Sequence, residues 1–252
     1  MSIRNAIARR VTALGNKLSS EYKGIRSDIP EISDGDMALL ESIRGLSMTA
    51  PIAQWEFIRA LRYIDALNIE GAVVECGVWR GGNLALAGLI RRETNNDRQI
   101  FAYDTFAGMT APTPHDHKAV NEVDTQAKFD ALERDGHNDW CYASLDDVRN
   151  NFAQVVGAEA QLRTIVGPVQ DTLIDETNLP EKIAILRLDT DFYDSTKAEM
   201  EILYPRLVSG GILIVDDYGE WAGARKAVDE YFADQHVWLL RVTHTVRMMF
   251  KR

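Results

Sequence analysis

The chain has 252 residues, with 28 Lys and Arg against 38 Asp and Glu and a hydrophobic fraction of 46%. That length builds one large domain or two small ones around a full core. The charged fraction of 26% is ordinary and speaks against disorder, no apolar run approaches the ~20 residues of a spanning helix, and a net charge of −10 disfavours general binding to phosphate backbones. Cys76 and Cys141, the two cysteines, build neither a disulfide scaffold nor a Cys-rich zinc site. With no secretory signal, a reducing cytoplasm is the expected compartment.

Residues 1–26 hold six cations and one acid, a local balance of +5 that leaves −15 on the remainder. Within this segment Ile3, Ile7, Val11, Leu14 and Leu18 fall on one face of a helix. Such a helix either packs on an acidic body or a second subunit, or meets a membrane surface or an acidic partner. Residues 1–48 are therefore expected to form an N-terminal helical extension. A short helix follows Ser33, carrying Met37, Leu40 and Ile43, and a longer one begins at Pro51, which suits the first helical position. Its apolar face is Ile52, Trp55, Ile58, Leu61 and Leu67.

From Gly71 the pattern becomes strand, turn, helix, repeated. Strands are expected at 72–76, 99–103, 162–166, 183–188 and 211–215, with two closing strands at 237–242 and 246–251. Helices are expected at 83–92, from Ser144 to Gly157 behind a Ser144/Asp147 capping box, before Tyr204-Pro205, and at 223–236. Alternation of this kind predicts an α/β fold with a doubly wound, mostly parallel sheet. Ligands of such sheets bind at the carboxyl ends of the strands. Residues 105–142 break the rhythm, with His115, His117 and His137 among them and no core periodicity. A loop of that length following the second strand is expected to be a lid over the cleft, with a short helix near 126–133.

The turn from Glu75 to Gly82 sits where nucleotides are held, yet Trp79 occupies the place of the second glycine of a dinucleotide fingerprint. A bulky side chain there obstructs a pyrophosphate, and Glu75 beside it repels one. A carboxylate and free backbone groups suit instead a cationic ligand such as S-adenosylmethionine, whose ribose needs an acidic partner. Asp104, ending the second strand, is placed to be that partner.

Acidic residues also end the later strands: Asp189 and Asp191 after the fourth, Asp216 and Asp217 after the fifth. Carboxylates that converge in one cleft repel each other unless a cation lies among them, and hard oxygen ligands favour Mg²⁺. Asp189, Asp216 and Asp217 are the expected metal ligands, and Asp194 the expected cap of the following helix. A divalent ion beside a methyl donor would acidify an acceptor hydroxyl. Asp191 is the first choice for the base that removes its proton, with Asp189 as competitor and the loop histidines as weaker alternatives.

Four stretches, 74–82, 103–108, 186–193 and 204–218, carry the motifs Val-Glu-Cys-Gly-Val-Trp-Arg-Gly-Gly, Tyr-Asp-Thr-Phe-Ala-Gly, Leu-Arg-Leu-Asp-Thr-Asp-Phe-Tyr and Tyr-Pro-Arg-Leu…Asp-Asp-Tyr. In that order they resemble the macrocin O-methyltransferase, or TylF-like, family. The resemblance runs from about Thr49 to Tyr231. It implies a class I methyltransferase (Rossmann-like) fold with a seven-stranded sheet over 49–252, S-adenosylmethionine, Mg²⁺, and a homodimer or larger oligomer. It also implies O-methylation of a small hydroxylated acceptor, a sugar or phenol of a natural product. Carried onto this chain, Met48, Thr49, Glu75, Gly77, Gly81, Asp104, Thr105 and Ser144 would form the donor site. Rival readings are a metal-dependent nucleotide-sugar or phosphate-ester enzyme, and a non-catalytic binding protein on the same fold.

Overall fold

The computed structural model describes residues 24–120 and 123–252; the expected basic helix around Ile3–Leu18 lies outside the described residues. After a helical stretch at 24–28, two helices precede the sheet. Helix α1 (Asp34–Ser42) is capped by the Ser33 hydroxyl, which accepts from the Asp36 amide at 3.0 Å. Helix α2 (Pro51–Ala66) has Pro51 in its first turn and buries Trp55, Ile58, Leu61 and Ile64. Ile29, Ile32, Met37, Leu40 and Ile43 share one buried cluster with these side chains and with the sheet.

The sheet is built from β1 (Ala72–Cys76), β2 (Ile100–Asp104), β5 (Arg163–Val166), β6 (Ile183–Leu188), β7 (Leu207–Val215), β8 (Leu240–Arg241) and β9 (Arg247–Phe250). Its order is β5-β2-β1-β6-β7-β9-β8. The first five run parallel, and β9 lies antiparallel to both β7 and β8. Strands β1 and β6 are buried along their whole length, as central strands covered by helices on both faces must be. One face packs on α1, α2, α3 (Gly82–Glu93) and α5 (Leu145–Val156) through Val73, Ala85, Ile90, Phe152 and Ile185. The other packs on α6 (Val169–Thr172), α7 (Tyr193–Ile202) and α8 (Ala222–Tyr231) through Val74, Phe101, Leu186, Met200 and Val228.

Several boundaries differ from the sequence reading. Strand β7 begins four residues early, because the Gly210-Gly211 pair continues the strand instead of ending it; a Cβ on Gly211 would meet the Ala184 carbonyl at 3.0 Å. The two closing strands are shorter, since Trp238 and Leu240 stand exposed at the sheet edge. Asp194 is not the cap of α7. The chain turns through a left-handed Asp191 (φ 66°), the helix starts after Phe192, and Asp194 falls in its first turn.

The segment between β2 and α5 carries α4 (Thr125–Leu132) and a two-stranded ribbon, β3 (Glu133–Arg134) with β4 (His137–Asn138). Its base is zipped shut: the Asn138 amide donates to the Ala107 carbonyl at 2.7 Å and the Met109 amide to the Trp140 carbonyl at 3.0 Å. Among the described residues no helix is long and apolar enough to cross a membrane.

Candidate active site

Register places the site. Cys76 pairs with Tyr103 on one side and Leu188 on the other, and Leu188 pairs with Val215. The next residue of each strand, Gly77, Asp104, Asp189 and Asp216, therefore forms one row at the carboxyl end of the sheet. Only glycine fits at 77: its φ is 77°, and a Cβ would lie 2.0 Å from the Asp189 carbonyl oxygen. Above this row lies a cavity of about 390 Å³. Its lining joins Met48, Thr49, Gly77, Trp79, Asp104 and Thr105 with Asp189, Asp191, Asp216, Asp217 and the 243–246 loop.

Asp104 anchors the first turn. One of its oxygens accepts from the amides of Val78 (2.7 Å) and Trp79 (3.3 Å), the other from Phe106 (2.8 Å). Burial holds its carboxyl above the usual range, against the pull of those amides. Glu75 stands behind the cavity wall. It accepts from Asn83 Nδ2 at 3.2 Å and from Arg187 at 2.7 Å, and burial pushes it up to about 7. Gly81 and Ser144 do not line the cavity either; Gly81 precedes α3 in a left-handed conformation and Ser144 caps α5 with the expected capping box.

Arg187 organises the acidic side. It is 1% exposed, and its guanidinium reaches Glu75 (2.7 Å), Asp189 (2.5 Å), Asp216 (2.5 Å) and the Thr49 hydroxyl (2.8 Å). Burial works against its charge, but Asp189, Asp216 and Glu75 outweigh that and raise its pKa. One arginine does not balance the set. Asp189, Asp191 and Asp217 bring carboxylate oxygens within 4.8 Å of one another, and Asp217 Oδ2 is buried with no partner. Burial, together with the neighbouring acids, pushes Asp216 up to about 8 and Asp217 well above the carboxylate range, while Asp191 reaches about 6. The oxygen trio thus joins Asp191 to Asp189 and Asp217, whereas Asp216 is engaged by Arg187.

Several residues of the site were not singled out in the sequence. Arg187 was legible as a lone cation in the apolar run Ile-Ala-Ile-Leu-Arg-Leu, a place where a charge needs partners. Asn83 lines the cavity and links Glu75 to the Thr49 hydroxyl. Gln170, after β5, lines it too, with a buried and unpartnered Oε1. Thr190, between the two aspartates, donates to Glu199 at 3.0 Å, a fully buried acid that burial pushes up to about 8.

A parallel sheet of this order with an antiparallel strand next to β7, and a cleft over its carboxyl edge, defines the class I methyltransferase fold. The model of the Macrocin-O-methyltransferase (TylF) family matches residues 44–242, and the chain belongs to that family. It is 34% identical to demethyldecarbamoylnovobiocin O-methyltransferase of Streptomyces niveus over 66% of this chain and 60% of that one. It is equally identical to mycinamicin III 3''-O-methyltransferase of Micromonospora griseorubida over 67% and 63%. The chain thus spans somewhat over half the length of these relatives. Among solved structures, the O-methyltransferase NovP superposes with a TM-score of 0.70 at 29% identity, over 82% of each chain. The SAH-bound methyltransferase PaMTH1 of Podospora anserina shares the fold at TM-score 0.52 and 14% identity, over 100% of this chain and 98% of that one.

Proposed function

We propose that the protein is an S-adenosylmethionine- and Mg²⁺-dependent O-methyltransferase acting on a hydroxyl of a small natural product, a sugar or a phenol. The observation that carries this reading is the cavity itself: Asp104 and the glycine turn share it with converging aspartates, in a chain of the TylF family. The relatives named above are O-methyltransferases of novobiocin- and mycinamicin-type compounds, which supports a natural-product acceptor.

The donor is assigned to the side of Met48, Thr49, Gly77, Asp104 and Thr105, where the turn's amides at Val78 and Trp79 are already engaged by Asp104 and leave no nest for a phosphate. Asp104 retains acceptor capacity beyond its three amide bonds, which suits ribose hydroxyls. The orphan Gln170 Oε1 suits an exocyclic amine of the base, because a buried carbonyl without a donor is costly. Glu75 acts through Asn83 and Arg187 and touches no ligand in this reading.

The acidic wall fits a divalent ion: its oxygens converge, one is buried and unpartnered, and the set carries more negative charge than Arg187 offsets. Asp189 and Asp217 would hold the ion by oxygens that converge, with Asp216, which Arg187 orients, as the third ligand; the ion would supply a Lewis acid for an acceptor hydroxyl. Asp191 would take the proton from the acceptor oxygen as the O–CH3 bond forms and the donor's S–CH3 bond breaks, the sulfonium leaving as the neutral thioether. The half-buried Asp191 lines the cavity, and a carboxyl near pH 6 is ionised at neutral pH. Arg187 keeps Asp189 and Asp216 in register for the reaction. A homodimer or larger homo-oligomer accompanies this reading on the family resemblance, and sedimentation tests it.

The activity is tested with methyl-labelled donor against deoxysugar glycosides and phenols, with Mg²⁺ or with excess chelator. Label is expected in a hydroxylated acceptor with Mg²⁺ only, and Asp217→Asn is expected to lose transfer while retaining donor binding. Full transfer in chelator, or in the variant, refutes the metal assignment.

A further inference from the structure

The segment 105–142 is fastened to the body at one buried carboxylate. Asp116 is 2% exposed, although it lies in a loop of exposed neighbours. Its Oδ2 accepts from the amide and the hydroxyl of Thr113, each at 2.7 Å, which closes the loop's own turn. Its Oδ1 leaves the loop and accepts from the Tyr193 amide at 2.7 Å. Tyr193 is the first residue of α7, and Phe192 before it supplies no side-chain cap. The helix is therefore capped in trans, by an acid 77 residues earlier in the chain.

The body is shaped to receive that carboxylate. Gly223 in α8 faces it, and a Cβ there would lie 1.9 Å from Asp116 Oδ1. The chain on either side of Asp116 adds further ties: the His117 carbonyl accepts from the Ala222 amide at 3.0 Å, and the Ala119 amide donates to the Glu220 carbonyl at 2.8 Å. A second fastening lies beside the first. Phe192 packs between Trp140 of the loop and Trp221 before α8, with ring centroids 5.9 and 5.4 Å away.

Both fastenings close on the two residues that follow Asp191. Asp191 holds a left-handed conformation (φ 66°), which a non-glycine residue keeps only where its surroundings over-determine it. We infer that Asp116 is a positioning residue: by capping α7 at Tyr193 it locks Asp191 in its left-handed turn and so sets the aspartate cluster. The loop is thereby part of the catalytic scaffold, and its seating and the geometry of Asp191 are one event. This inference rests on the role assigned to Asp191 above.

Three variants test it in the full chain: Asp116→Ala removes the carboxylate's contacts to both Thr113 and Tyr193 and leaves the aromatic fastening in place, Asp116→Asn keeps an oxygen for the Tyr193 amide but not the acceptor of Thr113, and Gly223→Ala crowds the carboxylate without changing its charge. The readouts are amide hydrogen exchange over 190–194 and calorimetric binding of Mn²⁺ alone. Asp116→Ala and Gly223→Ala are expected to speed exchange over 190–194 and to weaken Mn²⁺ by about 10- to 100-fold, the range for a lost supporting group. Asp116→Asn is expected to restore slow exchange at Tyr193 and most of the Mn²⁺ affinity. Faster exchange confined to 110–118, with 190–194 unchanged, overturns the inference, because Asp116 is then only a staple of its own loop. If the unaltered protein binds no Mn²⁺, the metal assignment falls, and exchange over 190–194 still decides the role of Asp116. Should Asp116→Ala fail to fold, Asp116→Asn and Gly223→Ala carry the same comparison.

Discussion

Replacing Arg187 by Met removes the side chain that, alone among the described residues, reaches Glu75, Asp189 and Asp216 together, while filling most of its volume. Taking one partner from a buried ion pair costs about 3–5 kcal/mol, because the other charge is left unpaired in a poor solvent. Here the cost depends on pH in a defined direction. With Arg187 present, Glu75 titrates at about 7 and Asp216 at about 8, both raised chiefly by burial. Above pH 8 both are ionised and the arginine is fully engaged. Near pH 5.5 Glu75 and Asp216 carry protons, and what the variant still forgoes is chiefly the Arg187–Asp189 pair. Urea unfolding followed by tryptophan fluorescence should therefore show a loss of about 3–5 kcal/mol at pH 8.5 that narrows as the pH falls. Mg²⁺ should recover part of the loss at pH 8.5, by supplying positive charge at the same carboxylates. A loss near ~1 kcal/mol at pH 8.5, the value of an exposed pair, would refute the buried network. So would a loss that grows toward pH 5.5.

Glu199→Gln keeps an oxygen for the Thr190 hydroxyl and removes a buried acid. Because burial raises Glu199 from 4.5 to about 8, the native chain loses stability as pH rises through that window, at about 1.4 kcal/mol per pH unit. The variant should show a flatter stability–pH profile between pH 5 and 8 by chemical unfolding; parallel profiles would contradict the assignment. Gly77→Ala sets a methyl 2.0 Å from the Asp189 carbonyl in a left-handed backbone. It should cost at least the ~1–3 kcal/mol of backbone strain and displace Asp189, so that donor binding and thermal stability fall together. A variant that melts and binds as the native chain does would show that the close approach at Gly77 is relaxed in solution.

Periodicity and turn chemistry made most of the fold legible. Strands β1, β2 and β6, the capping box at Ser144, the start of α2 at Pro51 and the short helix inside the long loop follow from local sequence, because each is fixed by residues within a few positions. The acidic row at the strand ends was also visible, since the parallel order puts residues after each strand side by side. What stayed hidden is what depends on partners far along the chain. Nothing near Asp116 or Tyr193 reveals that one caps the other, and Asp194 looked like the cap because it is the local acid. Glu75 stood out as a ligand for a cation; the cation it meets, Arg187, lies 112 residues away. Likewise Gln170 is an ordinary polar residue until the fold buries its oxygen in the cavity.

Calorimetric titration of the chain with S-adenosylmethionine, in Mg²⁺, is the most direct test of the proposed chemistry. One saturable site per chain is expected, unaffected by excess NAD and lost in Asp104→Lys. Absence of saturable binding at millimolar donor, or unchanged binding in Asp104→Lys, would contradict the assignment of this cavity to a methyl donor.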